Sequence, residues 1–400
     1  MSNISYNIVA SNVLVYPGHK DIHSTVIFNA NDKQFHIFLP TYTVICILMI
    51  IGIPGNILTL LVYTRRLKKA IARQFLMTLA TCDLLTCSVV MPTELVIMTH
   101  FFDWDLRWLC KSFRWFSYSV NNISSLTLLI IAVERYRLVC KPWKQKFTAK
   151  TSRYLCYINI VFSVITALPM FFMYGTQTIP LFKVQNEAID NLTNSSTEGV
   201  AMVIYGKSCL MDDAMTQLAF PFAVVTTSVY IISIIIVFIA FIFLYGHVVK
   251  TLVKRRKESL CQQEGKSKEA SACRIRKITF MMIILTVLYE ICYLPCLSVV
   301  CLRLTRPEFY TTLSSAGKTV FQLLLKSYLL CSAFNPFVYC FCNKEFLAGL
   351  FWILRSIFPA TGRRQSILQS QKLVTVSQSK DGDKNGMVSR AKTMETEDLR

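Results

Sequence analysis

Charge is what this sequence has least of. Only 16% of its 400 residues are Asp, Glu, Lys or Arg, while 53% are apolar. An ordinary soluble domain carries roughly 25% charged residues, so a water-soluble protein of this length is excluded. Histidine is rarer still, at five, with no metal-spaced cluster. There is no Gly-rich phosphate-cradling loop and no nucleophile triad, so no motif supports an enzyme. The first 36 residues lack the apolar centre of a cleavable signal peptide. The first apolar run is therefore expected to serve as a signal anchor. No internal repeat or pair of half-helices marks a transporter or channel.

What is present is oil, gathered in runs. Seven stretches, centred roughly on 37–64, 71–99, 107–138, 152–174, 216–249, 277–302 and 318–341, are long enough to cross a bilayer. The expected fold is an all-α membrane protein, a seven-transmembrane helix bundle over 37–341. A polar extracellular tail (1–36) precedes it, and an amphipathic membrane-surface helix (342–358) and a disordered cytoplasmic tail (359–400) follow it.

Orientation follows from the loops. Lys and Arg crowd the first, third and fifth connections, as in Arg65, Arg66, Lys68, Lys69 and Arg73 after the first run. The alternate loops are poor in cations, so by the positive-inside rule the N-terminus lies outside. The net charge of +20 is then mostly an inner-leaflet signature. Because the cations are spread over separate loops, nucleic acid is a poor partner. Three glycosylation triplets, at Asn3, Asn191 and Asn194, fall on the predicted outer side; a fourth, at Asn122, lies inside run three and is expected to be unusable. Most of the 15 cysteines sit inside apolar runs, where a thiol is a small hydrophobe. Cys110 and Cys209 do not; both lie on the outer side.

Run three ends on Glu134, Arg135 and Tyr136. An arginine at this depth is expensive, roughly 2.5–3.5 kcal/mol on insertion scales, and Glu134 compensates it. This resembles the E/DRY motif of rhodopsin-like (class A) G-protein-coupled receptors. Other residues carry the same resemblance, each in its own span. They are Gly55–Asn56, "LATCDLL" with Asp83, Trp104 six residues before Cys110, Pro142 seven after Arg135, "CYLP" ending at Pro295, and "NPFVY" over Asn335–Tyr339. The resemblance covers about 37–355 and implies a plasma-membrane receptor for an extracellular ligand, coupled to a heterotrimeric G protein. It also implies pairing of Cys110 with Cys209. Glu134, Arg135 and Tyr136, with Tyr245, Asn335, Pro336 and Tyr339, are then the coupling switch, Tyr339 swinging inward toward Tyr245 on activation. The bland alternative is that Glu134 and Arg135 merely snorkel to the interface.

A polar network of Asn56, Asp83, Ser124 and Asn335 is expected at mid-membrane. The family binds an allosteric sodium ion there; the alternative is a protonated, hydrogen-bonded Asp83 with no ion, favoured by Cys331 where the family often has Asn. Transmission is assigned to Tyr289, Tyr293 and Pro295. Here the sequence departs from pattern. Tyr293 stands for Trp or Phe, Tyr289 for Phe, Val237 for a proline, Ser125 for a branched aliphatic, and no Trp lies near Asn159–Ile160. Basal activity is thereby left open in either direction.

Ser117 replaces the aminergic Asp, and Leu329 replaces the retinal-binding lysine, so a monoamine and retinal are both disfavoured. The acidic outer loop of about 40 residues and the "MPTELV" kink suit a peptide, and "ERYRLVCKP" is similar to cholecystokinin/gastrin-like neuropeptide receptors. Pocket candidates are Glu94, Lys111, Arg114, Ser117, Asn121, Arg303, Gln322 and Lys326. Of these, Arg303, Arg114 and Lys326 are suited to an acidic or C-terminal group on the peptide, the alternative for each being an interfacial charge. The resemblance implies Gq and calcium as the output. Tail residues Ser366, Thr375, Ser377, Ser379 and Ser389 are candidate phosphosites for arrestin. Other readings are a receptor for a non-peptide small molecule and a non-coupling decoy or scavenger.

Overall fold

The computed structural model describes residues 19–67, 72–143, 147–184, 202–217, 220–261, 266–306 and 308–357. Asn3, Asn191, Asn194 and the tail after Pro359 lie outside the described residues. The chain divides into two compact units, Met1–Leu347 and Ala348–Arg400.

The first unit is a helix bundle. Six of its helices are long and apolar enough to cross a membrane, and a bent pair makes the seventh span. Spans one to four are His19–Arg65, Arg73–Thr99, Arg107–Cys140 and Ala149–Met173. Spans five and six are Phe220–Cys261 and Lys266–Thr305. Span seven is Ser315–Leu325 followed by Leu329–Cys342. Apolar side chains cover the outside of span five, where Ile232, Ile236, Ile239, Ile242 and Phe243 are more than half exposed. Such a belt would drive aggregation in water and costs nothing in hydrocarbon.

Several boundaries differ from the sequence-based expectation. Span one begins at His19, so the stretch expected as a polar tail is helical from there to residue 36. No Gly or Pro interrupts the chain between His19 and Pro40, and Pro17–Gly18 punctuate the sequence just before it. Pro295 and Pro336 lie inside continuous helix. The break in span seven comes earlier, at Lys326–Tyr328, with a bend of 53°. There the backbone tightens: Ser327 N–H donates to the Leu324 carbonyl, and Leu329 N–H to that of Lys326. The Ser327 hydroxyl anchors the turn by donating to the Cys292 carbonyl of span six at 2.6 Å. Span two does distort near its proline. Thr86–Val90 form a π-helical turn just ahead of Pro92. Span five runs 42 residues unbroken; with Val237 in place of proline, nothing forces a bend.

The outer connection between spans four and five is a β-hairpin, β1 (Tyr174–Val184) antiparallel to β2 (Met202–Met211). The sequence reading had only a lid there. β2 also pairs with the loop after span two: Trp104 N–H donates to the Lys207 carbonyl, and Lys207 N–H to that of Phe102, both at 2.9 Å. The Cys110–Cys209 disulfide ties β2 to the start of span three. Phe38, Met91, Trp104, Phe113 and Leu329 pack around it as the outer apolar core.

The helix Lys344–Ile357 begins in the first unit and ends in the second. Its Phe346, Leu347, Leu350, Ile353 and Leu354 fall on one helical face, as expected of an amphipathic segment.

Candidate ligand pocket and cytosolic switch

At the outer end, Glu94 of span two is buried with 1% of its side chain exposed. Arg114 of span three donates to its Oε1 at 2.6 Å, and Lys326 of span seven to its Oε2 at 2.7 Å. Arg114 and Lys326 are themselves only 14% and 11% exposed. The break at Lys326–Tyr328 puts Lys326 within reach of Glu94. The Arg114 guanidinium lies 5.4 Å from the ring centres of Phe113 and Tyr174, and its Nε is buried without a hydrogen-bond partner among the described residues.

A second carboxylate repeats the pattern. Asp212 receives Arg107 through two bonds, at 2.7 and 2.9 Å, and Lys111 at 3.0 Å. Burial would raise the Asp212 carboxyl, but the hydrogen bonds from Arg107, Lys111 and the Ala214 N–H outweigh it and hold the group below the usual carboxylate range. Gly175 must be glycine because a Cβ there would fall on the Asp212 carboxylate. Lys111, expected to face the ligand, is thus committed to holding the hairpin.

The other pocket candidates divide. Ser117 is buried beside Tyr328. Gln322 lies beside Tyr310, whose hydroxyl accepts from Gln34 at 3.1 Å. Asn121 is half-buried, and Arg303 stands exposed in the last turn of span six. Deeper in, Tyr118 and Tyr174 share a hydroxyl bond at 3.1 Å. Tyr230 donates to Asn122 at 2.8 Å, which accounts for Asn122 as an interior residue rather than a glycan acceptor.

At mid-membrane, Asn335 donates to Asp83 at 2.7 Å, and Ser332 is a second partner of the same carboxyl. Asn56 donates to the Ser332 and Gly52 carbonyls. Gly55 leaves room for Pro336, to which a Cβ would come within 3.0 Å. Ser124 is buried on the expected face, beside the Cys82 thiol. A hard cation such as sodium wants oxygen donors, and Cys331 offers sulfur where the family often has an amide; nothing below uses an ion here.

The transmission residues form an aromatic stack. Tyr289 and Tyr293 lie 4.2 Å apart, centre to centre, and Tyr293 meets Tyr328 at 5.9 Å. Tyr289 also lies beside Ser125 of span three.

At the cytosolic end, Arg135 donates to Glu134 at 2.9 Å with none of its side chain exposed. Its Nε and Nη1 have no partner among the described residues. Tyr136 meets His247 of span five edge-on at 6.1 Å. Tyr245 shares a hydroxyl bond with Thr286 at 3.1 Å. Tyr339 is fully buried against Tyr63 and Phe346. Arg274 of span six pairs with Glu345 at 2.7 Å.

The sequence reading missed three further polar groups. Asn159 of span four donates to the Ile123 carbonyl and to Thr127 at 3.0 and 2.9 Å, filling the place where a Trp was expected. Asp212 gave a weak signal, lying three residues past Cys209. Glu290 is a half-buried carboxylate in span six with no hydrogen-bond partner among the described residues; a lone acid in "VLYEICYLP" was a legible flag.

Residues 55–339 match the family described as 7 transmembrane receptor (rhodopsin family). A stretch of 160 residues is 31% identical to the growth hormone secretagogue receptor type 1 of Sus scrofa, covering 37% of this chain and 43% of that receptor. The Homo sapiens receptor of the same name is 32% identical over 140 residues, 34% of this chain and 38% of its own length. The cholecystokinin receptor type A of Homo sapiens is 23% identical over 361 residues, 76% of this chain and 77% of that one. The chain thus spans less than half the length of the growth hormone secretagogue receptors it matches. The family match covers most of the chain, and the chain belongs to the rhodopsin family of seven-transmembrane receptors.

Proposed function

We propose, on the premise of that membership, that the protein is a plasma-membrane receptor for an extracellular peptide, its N-terminus outside, coupled to heterotrimeric G proteins through Gq. Two kinds of relative named for cholecystokinin and for growth hormone secretagogues support a peptide ligand. So does the outer face, where a disulfide-pinned hairpin, its Tyr174 ring against Arg114, stands beside the Glu94, Arg114 and Lys326 cluster.

The observation that carries the coupling is Arg135. Its guanidinium is wholly buried: Nη2 donates to Glu134, while Nε and Nη1 have no partner among the described residues. Leaving donors unmade in a buried site is costly, so Arg135 is poised to take acceptors from a partner once the cytosolic ends separate. Ligand binding at the outer end then biases the Tyr289–Tyr293 stack, span six moves, and Arg135 exchanges Glu134 for the G protein. Tail phosphorylation recruits arrestin afterwards.

The experiment is a calcium and cAMP readout in cells expressing the chain, challenged with short neuropeptides beside an Arg135→Ala control. A potent calcium response lost in the control supports the reading. A response that survives in Arg135→Ala, or surface receptor silent to every peptide, argues against it.

A further inference from the structure

The outer end of the bundle holds more buried positive charge than negative. Glu94 is shared by Arg114 and Lys326, and Asp212 by Arg107 and Lys111. Each carboxylate takes two cations, but Arg107 is 51% exposed, so the buried surplus of one positive charge lies at Glu94. An exposed cluster would shed that surplus into water. Here Glu94 is 1% exposed and its two partners less than a sixth. Taking an uncompensated charge out of water is costly, and the Arg114 Nε has no acceptor among the described residues. A further acceptor beside Arg114 would complete it.

From this we propose that the ligand delivers an anionic group to Arg114 and Lys326, a carboxylate that takes the free Arg114 Nε and shares Lys326 with Glu94. The inference rests on the receptor reading and deepens it by naming the ligand's chemistry. The phenols of Tyr174 and Tyr328 flank Arg114, so the group is expected to sit beside an aromatic or apolar side chain. The carboxylate is either the C-terminus of a peptide or an acidic side chain within it. A cationic ligand amine is the opposite choice. It would have to compete for Glu94 against two cations already bonded to it.

The test uses the purified full-length receptor in lipid nanodiscs and small probes matched except for charge. These are N-acetyl-tyrosine, its neutral amide and tyramine, compared at equal millimolar concentration and ionic strength by thermal unfolding. A second pair, N-acetyl-aspartyl amide and N-acetyl-asparagine amide, moves the carboxylate to a side chain. Ligand that binds only the folded protein raises Tm. The expected result is a rise of about 2 °C or more with an acid probe and not with its amide, lost in Lys326→Met. Greater stabilisation by the α-carboxylate marks a C-terminal group; greater stabilisation by the aspartyl probe marks an acidic side chain. Three results would overturn the proposal. These are an amide or tyramine matching the acids, no shift from either acid, and an acid effect that persists in Lys326→Met. The comparison on the unmodified receptor stands even where the variant fails to fold. A failed peptide screen with a positive acid shift would sink the coupling reading and leave this one intact.

Discussion

Ser125 on span three lies beside the phenol of Tyr289 on span six. Each alone is a departure from the family pattern, a hydroxyl where an aliphatic is usual and a phenol where a phenyl is usual. Together they are a matched pair, because a hydroxyl buried at mid-membrane is costly without a polar neighbour. The two groups meet between spans three and six in the arrangement that keeps Arg135 on Glu134.

Tyr289→Phe is therefore expected to raise basal signalling. A polar contact of this kind is worth about 1 kcal/mol, so the open population should grow roughly five-fold. Ser125→Ala should do the same, and the double variant should do no more than either single, since both remove the same contact. Basal inositol phosphate at matched surface expression measures this; strictly additive effects would mean the two residues act separately.

Glu94→Gln leaves Arg114 and Lys326 buried and uncompensated. Breaking a buried ion pair on one side costs about 3–5 kcal/mol, so the variant should melt well below the parent. Adding Lys326→Gln removes one orphaned cation and should recover part of the loss. Thermal unfolding in nanodiscs reads both; a single variant as stable as the parent would mean Glu94 bears no such charge load.

The hairpin lock should fail in acid. Asp212 is held below its ordinary value, so its contribution is complete above the unfolded carboxylate pKa of about 4. It is lost as pH falls through the lower folded value. Asp212→Asn should mimic that loss at neutral pH. Hydrogen exchange over 202–211 would quicken in the variant, and the parent would approach it only in acid. Equal protection in both proteins at neutral pH would rule out this lock.

The sequence made the bundle legible because lipid demands long unbroken apolar helices, and seven such runs stand out from polar loops. Cys110 and Cys209 were legible because both lay on the predicted outer side. The hairpin was not, since the stretch between spans four and five was read for charge and not for alternation. The Glu94 cluster was visible as three candidate residues but not as one site. Its assembly depends on the break at Lys326–Tyr328, which no proline marks. Pro295 and Pro336, by contrast, lie inside continuous helix. A proline removes one hydrogen bond, and a long packed helix tolerates that without breaking. Ser125 and Tyr289 lie 164 positions apart in the sequence, and only folding reveals that one departure answers the other.

The central claim is that Glu134 restrains Arg135 until the receptor opens. Basal second-messenger output of Glu134→Gln, compared at equal surface density with the parent and with Glu134→Gln/Arg135→Ala, tests it without any ligand. The account predicts raised basal output in the single variant and none in the double. Output in Glu134→Gln no higher than the parent would contradict it.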